Sequence, residues 1–138
     1  MTAKEWLNRA RDIDGELDDL REARELLEAQ LTKSTQTLTG DVVQSTKDPH
    51  KFDELGELAI RIGQAEKRCH KIKSETLAVI MKIDNGTYRR LLVLRYINGH
   101  TFEEIAVRMH FSWRQTHRLH GRALIAVTEV LKCQDENR

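Results

Sequence analysis

Two helix-start patterns lie only eleven residues apart in the C-terminal third of the chain. Thr101 and Glu104 form a T-x-x-E capping box, and Ser112 and Gln115 form an S-x-x-Q box. In both patterns side chains bind the free N–H groups of a first helical turn. Two helices that start this close together leave room only for a short helix, a sharp turn and a second helix. The sequence therefore predicts a helix-turn-helix, whose second helix typically enters the DNA major groove.

The predicted turn is unusual because it contains no glycine. His110 stands where most such motifs place glycine, the residue that best tolerates a positive φ angle. Histidine is among the other residues that adopt the left-handed region. We therefore expect His110 at the turn and the small residue Ala106 where the two helices cross.

The charges are distributed unevenly although the net charge is only +1. Residues 1–86 contain 14 basic and 17 acidic residues, whereas residues 87–138 contain 9 and 5. Between residues 87 and 122 there are seven arginines and two glutamates. Arginine concentrated around a helix-turn-helix favours binding to phosphates, and double-stranded DNA is the partner that we expect.

Two long heptad patterns precede this segment. The first contains Trp6, Ala10, Ile13, Leu17, Leu20, Arg24, Leu27 and Leu31, and the second contains Leu55, Leu58, Ile62, Ala65, Cys69, Ile72, Thr76, Val79 and Ile83. Residues 32–48 are rich in Thr and Ser and predict a loop, and Asp48 with Pro49 predicts the start of the second helix. The simplest arrangement of residues 1–86 is an antiparallel coiled-coil hairpin. The alternative is that the helices pair with another copy of the chain.

We expect a homo-oligomer formed through residues 1–86, because a lone two-helix hairpin buries a single seam. The alternative is that the hairpin merely packs on the C-terminal domain. After Gly86, Thr87 predicts the start of a third helix, which contains Leu91, Leu92, Leu94 and Tyr96. This helix would complete a three-helix unit in residues 87–138. The predicted fold class is all-α.

The run LLVLRYINGHTFEEIAVRMHFSWRQTHRLHGRAL resembles region 4 of sigma-70-type sigma factors, which reads the promoter −35 element. The matching elements are Leu94–Tyr96, Thr101–Ala106, and Arg122 with Ala123. The layout of nearly the whole chain is similar to phage and prophage proteins of the ArpU-type late transcriptional regulator group. These resemblances imply a transcription regulator in the bacterial cytoplasm. A segment that would melt the −10 element is missing, so an initiating sigma factor is not expected.

The helical period, together with the resemblance, assigns the DNA-contacting residues. With Thr116, Leu119 and Ala123 turned inward, we assign Arg114, Gln115 and Arg118 to base edges, with His117 a weaker candidate. The residues assigned to the DNA backbone are Trp113, Arg122, Arg108, Arg89 and Arg90. Trp113 either contacts DNA or covers the join between the helices.

Other functional classes have little support in the sequence. No glycine-rich phosphate loop, nucleophile elbow or zinc-protease pattern occurs, so we expect no enzyme, cofactor or small-molecule substrate. His117 and His120 with Cys133 lack the spacing of a zinc site, and we interpret the histidines as a solvated or phosphate-facing pair. No signal peptide or long apolar run predicts export or a membrane location.

The preferred function is a sequence-specific regulator of phage or prophage late genes. One alternative is a modulator that docks on host RNA polymerase without reading DNA. Another is a DNA packaging adaptor similar to a small terminase subunit, which also combines a helix-turn-helix with oligomerisation.

Overall fold

The computed structural model describes residues 1–36 and 49–138. These residues form helices joined by short irregular segments, and they contain no strand. The helices are α1 (Ala3–Gln36), α2 (Pro49–Ile80), α3 (Gly86–Leu92), α4 (Phe102–Met109) and α5 (Trp113–Glu136). A π-helical turn, Val93–Ile97, continues α3. The predicted all-α class is confirmed. Among the described residues, no helix combines the length and the apolarity that crossing a membrane would require.

The capping box predicted for α4 is present in full, whereas in α5 only the Ser112 half of the predicted box is formed. The Thr101 hydroxyl accepts from the Glu104 N–H at 3.3 Å, and the Glu104 carboxylate accepts from the Thr101 N–H at 3.2 Å. The Ser112 hydroxyl accepts from the Gln115 N–H at 3.1 Å. These bonds satisfy donors that the first turn of a helix otherwise leaves free.

Two predicted helix boundaries are wrong. Helix α1 continues through residues 32–36, because the Thr32 hydroxyl donates to the Glu28 carbonyl at 2.9 Å and so finds its partner within the helix. Helix α3 is capped by Asn85 rather than Thr87, since the Asn85 side chain accepts from the N–H groups of Thr87 and Tyr88. The rest of the predicted loop, residues 37–48 with Asp48, lies outside the described residues.

The chain divides into two compact units. Unit 1 comprises Met1–Asp12 and Cys69–Arg138, and unit 2 comprises Ile13–Arg68. In unit 1 the start of α1 packs into the same apolar cluster as α5: the cluster contains Ala3, Leu7, Val79, Ile80, Ile83, Leu92, Tyr96, Ala123 and Val127. These units are defined by packing, and the functional division at residue 86 stays a prediction.

A second cluster of unit 1 joins α3, its π-helical turn and α4. It contains Leu91, Leu94, Ile105 and Met109, with Phe111 and Leu119 packed against it. The Asn98 N–H bonds to the Val93 carbonyl at 2.9 Å, the five-residue step of a π-helix. Leu94 packs in this cluster, whereas Tyr96 packs in the first. The π-helical turn therefore contributes to both clusters of unit 1.

Unit 2 contains parts of α1 and α2 with a small core. Among its described residues, the buried apolar ones are Ile13, Leu17, Ile62 and Ala65. Two ion pairs join the helices, Arg21 with Glu66 at 3.3 Å and Arg68 with Glu16 at 3.2 Å. All four side chains are about half exposed, and exposed ion pairs add little stability. Apolar burial must therefore supply most of the stability of this unit.

The predicted seam positions are buried to different extents. Ala10, Ile13 and Leu17 are buried, as are Ile62, Ala65 and Cys69, whereas Leu20, Arg24, Leu27 and Leu31 are half-buried. One position is wrong, since Leu7 is fully buried and Trp6 only partly so. Leu7 lies in the cluster that contains Val127, so a contact far away in the chain determined which of the two neighbours is buried.

Candidate nucleic-acid interface

The turn between α4 and α5 has the geometry that a glycine usually supplies. His110 follows α4 with φ 58° and ψ 39°, in the left-handed region, and is the only non-glycine residue with a positive φ in the described chain. The Phe111 N–H then bonds back to the Ala106 carbonyl at 3.0 Å. Helix α5 begins at Trp113, three residues beyond His110. The expected left-handed conformation of His110 is therefore confirmed.

The inward face of α5 packs on the rest of unit 1. Thr116 is fully buried, and its hydroxyl donates to the Ser112 carbonyl at 2.9 Å. This bond satisfies the hydroxyl without a partner from another helix. Ala123 is also fully buried. Burial of residues 116 and 123 directs the opposite face of α5 to the surface.

Arginines occupy that exposed face. Arg114, Arg118 and Arg122 are all exposed and follow one another at steps of four, which places them along one side of the helix. Gln115 is exposed beside them. Residues 105–128 contain no Asp or Glu, and these three arginines form no ion pair within residues 1–36 and 49–138. The stripe therefore has positive charge that no neighbouring carboxylate neutralises.

The other predicted backbone-contacting arginines differ in availability. Arg108 and Arg90 are exposed, and the Arg90 guanidinium donates to the Arg108 carbonyl at 3.4 Å. Arg89 is half-buried and donates to the carbonyls of Ile83 and Asp84 at 2.5 and 2.9 Å. Arg89 thus binds the backbone that follows α2, and its guanidinium is partly occupied by the protein itself.

His117 lies in an aromatic stack between α4 and α5. Its ring centroid is 4.3 Å from that of Phe102 and 4.0 Å from that of Trp113. Its Nε2 is buried, with no hydrogen-bond partner in the described chain. The guanidinium carbon of Arg95 lies 4.1 Å from the centroid of the Phe102 ring, a distance typical of a cation–π contact. The ring of His117 is thus half-buried between two neighbouring rings, with its Nε2 shielded from solvent.

Trp113 is at the outer end of this stack. Its ring contacts His117, yet 57% of the residue is exposed. The two interpretations of Trp113, a cover for the join between the helices and a surface for DNA, are therefore compatible. One part of the indole packs on the protein while the rest faces solvent.

Sequence reasoning missed a buried polar pair behind this face. The phenol oxygen of Tyr96 and Nε2 of His120 are 2.7 Å apart, and both residues are buried. Burial, with the nearby positive charges of Arg95 and Lys4, lowers the pKa of His120 to about 4. The interpretation of His120 as a solvated residue is wrong. The available sequence indication was its position one turn beyond the inward residue Thr116.

Metal coordination has no support in the described residues, where no three His, Cys, Asp or Glu side chains come together as a site. Cys133 is exposed and Cys69 is buried. The described part of α5 offers an exposed basic face. No protein-family model matches the chain, and no curated protein or solved structure does so either.

Proposed function

We propose that this protein is a sequence-specific DNA-binding transcription regulator of phage or prophage late genes. In this proposal α4 and α5 form a sigma region 4-like helix-turn-helix, and α3 with its π-helical turn completes a three-helix unit. The left-handed turn at His110 and the cap at Ser112 support this arrangement. The sigma-like motifs in Leu94–Tyr96 and Thr101–Ala106 remain the basis for the link to transcription.

The observation that carries the proposal is the arginine stripe Arg114, Arg118 and Arg122. An exposed helix face without carboxylates attracts the phosphates of DNA, and the major groove is wide enough for an α-helix. Arg114 and Arg118 lie on the first two turns of α5, the part of a recognition helix that typically contacts bases. We assign Arg114, Gln115 and Arg118 to base edges, and Arg122, Arg108 and Arg90 to phosphates.

Binding to phage promoter DNA and to random DNA of equal length tests the proposal. Arg114→Ala or Arg118→Ala should weaken promoter binding by about 5- to 150-fold while changing random-DNA binding much less, because a lost base contact costs roughly 1–3 kcal/mol. Arg61→Ala, an exposed arginine in unit 2, is the matched control and should bind both DNAs normally. Equal binding of promoter and random DNA by the native protein would refute sequence-specific recognition.

We further propose that α1 and α2 form an antiparallel coiled-coil hairpin through which the protein oligomerises. The order of the two ion pairs in unit 2 supports the antiparallel direction. Glu16 comes before Arg21 in α1, whereas Arg68, the partner of Glu16, comes after Glu66, the partner of Arg21, in α2. The small core of this unit supports oligomerisation, because two helices that bury one seam gain little stability alone.

A second candidate function is docking on host RNA polymerase without DNA reading. The observation that favours it is an exposed apolar side chain on the helix that precedes α5: Val107 of α4 is 75% exposed. A pull-down of polymerase beside a promoter gel shift separates the two functions. If docking uses Val107, the Val107→Ser variant should no longer bind polymerase but should still bind promoter DNA. The Arg118→Ala variant should still bind polymerase but should bind promoter DNA more weakly.

A further inference from the structure

The outer face of α2 in unit 2 has an apolar stripe that the described chain does not cover. Phe52 and Ile60 are 54% and 64% exposed, although they are among the largest apolar side chains of the unit. Phe52, Gly56, Ile60, Gly63 and Lys67 follow one another at steps of four and three, so they share one side of the helix. We call these five residues the outer stripe.

The outer stripe is separate from the seam that packs on α1. The buried seam residues Ile62 and Ala65 lie on another side of α2. Each follows a residue of the outer stripe, Ile60 or Gly63, by two positions, which is about half a helical turn. Gly56 and Gly63 have open space where a Cβ would be. A second helix could therefore approach the backbone closely on either side of Ile60.

One charge within the outer stripe, Lys67, and one beside it, Asp53, indicate what packs there. Asp53 lies seven residues before Ile60, and Lys67 lies seven residues after it; both are exposed. In an antiparallel pair of α2 helices related by a twofold axis at Ile60, Asp53 of each copy faces Lys67 of the other. A parallel pair would instead place Asp53 against Asp53 and Lys67 against Lys67, and facing charges of one sign disfavour that orientation.

We propose that the outer stripe of α2 is the interface of a twofold symmetric dimer, in which two copies of α2 pack antiparallel about Ile60. Each Ile60 packs between the open Gly56 and Gly63 positions, and the two Asp53–Lys67 pairs determine the register. In a twofold interface the same surface serves both copies, so each favourable pair occurs twice. The interface adds the apolar burial that the small core of unit 2 lacks.

This inference specifies the oligomer in the proposed function and rests on that part of it alone, because it does not require DNA binding. The experiment exchanges the two charges and measures the dimer dissociation constant of the full-length chain by sedimentation equilibrium. Asp53→Lys or Lys67→Asp should each weaken dimerisation by about tenfold, since two attractions become two repulsions. The double variant should recover most of the native dissociation constant.

Asp19→Lys is the matched control, because Asp19 is an exposed carboxylate on α1 of the same unit. It should leave the dissociation constant within about twofold of the native value. An effect at Asp19 as large as that at Asp53, or a double variant weaker than both single variants, would overturn the proposed interface.

Cross-linking gives a readout that does not depend on charge. In a Cys133→Ser background, Ile60→Cys should form a covalent dimer on mild oxidation, because the twofold axis brings the two positions together. Leu26→Cys replaces an equally exposed apolar residue of α1 and should remain monomeric on denaturing gels. Cross-linking at Leu26 but not at Ile60 would contradict the interface.

Failure of this inference is distinguishable from failure of the DNA-binding proposal. A native protein that sediments as a monomer at the highest soluble concentration would overturn the dimer, while promoter binding by the same sample would still support DNA recognition. A dimer that the Asp53 and Lys67 variants leave unchanged would refute this interface but keep oligomerisation.

Discussion

The phenol oxygen of Tyr96 lies 2.7 Å from Nε2 of His120, and this contact joins the π-helical turn to the first third of α5 across 24 residues of sequence. The two rings are also stacked, with centroids 5.9 Å apart. Tyr96 is 1% exposed. A buried polar pair of this kind is stabilising only while both partners are satisfied.

Removal of the phenol oxygen should destabilise the protein. Tyr96→Phe leaves Nε2 of His120 buried without its partner, and we expect a loss of about 1–3 kcal/mol in the free energy of unfolding. Urea unfolding followed by circular dichroism measures this loss. Tyr88→Phe is the control, since Tyr88 is only partly buried and its hydroxyl is not in a hydrogen bond of the described structure. Equal stability of both variants would mean that the Tyr96–His120 bond contributes nothing.

Stability should depend on pH through His120. The pKa of His120 is lowered to about 4 in the folded protein, whereas an unfolded histidine has a pKa of about 6.5. Between these values the unfolded chain binds the proton more readily, so acid favours unfolding. The contribution of neutral His120 is complete above about pH 6.5 and is lost as the pH falls towards 4.

Unfolding free energies at several pH values between 7.5 and 4.5 measure this dependence. His120→Gln should reduce the slope in that window, because glutamine does not titrate there. The carboxylates titrate in both proteins, so the difference between the two curves isolates His120. If His120→Gln left the slope of unfolding free energy against pH unchanged, the pH dependence would not come from His120.

The left-handed turn at His110 should respond to residue type in a defined order. His110→Gly removes the Cβ that disfavours φ 58° and should leave stability equal or raise it by up to about 1 kcal/mol. His110→Val introduces a β-branched residue and should lower stability by more than about 1 kcal/mol. Melting temperatures check this order. A valine variant as stable as the native protein would show that the turn tolerates another conformation.

Salt dependence should distinguish phosphate contacts from base contacts. Arg122→Ala should weaken binding to promoter and random DNA equally and reduce the slope of log K against log salt concentration by about 1. Arg114→Ala should instead reduce discrimination at particular base pairs. Fluorescence anisotropy at several salt concentrations measures both effects. If Arg122→Ala left the salt slope unchanged, its assignment to a phosphate would be wrong.

Sequence alone determined the elements whose cause is local. The caps at Thr101 and Ser112 were predictable because each side chain bonds to an N–H only three residues away. The turn at His110 was predictable because it lies between two such caps. The exposed stripe of Arg114, Arg118 and Arg122 followed from the helical period once Thr116 was placed inward.

Only the tertiary structure decided features whose partners are distant in the chain. His117 packs against Phe102 of α4, and His120 binds Tyr96. Leu7 rather than Trp6 is fully buried because Leu7 packs with residues of α2 and α5. Such contacts leave no local pattern, because a helical period tells which residues share a face but not what the face meets. Local hydrogen bonds thus determine where the helices around the proposed DNA-binding face begin. Packing between residues distant in the chain determines which side chains of that face are exposed.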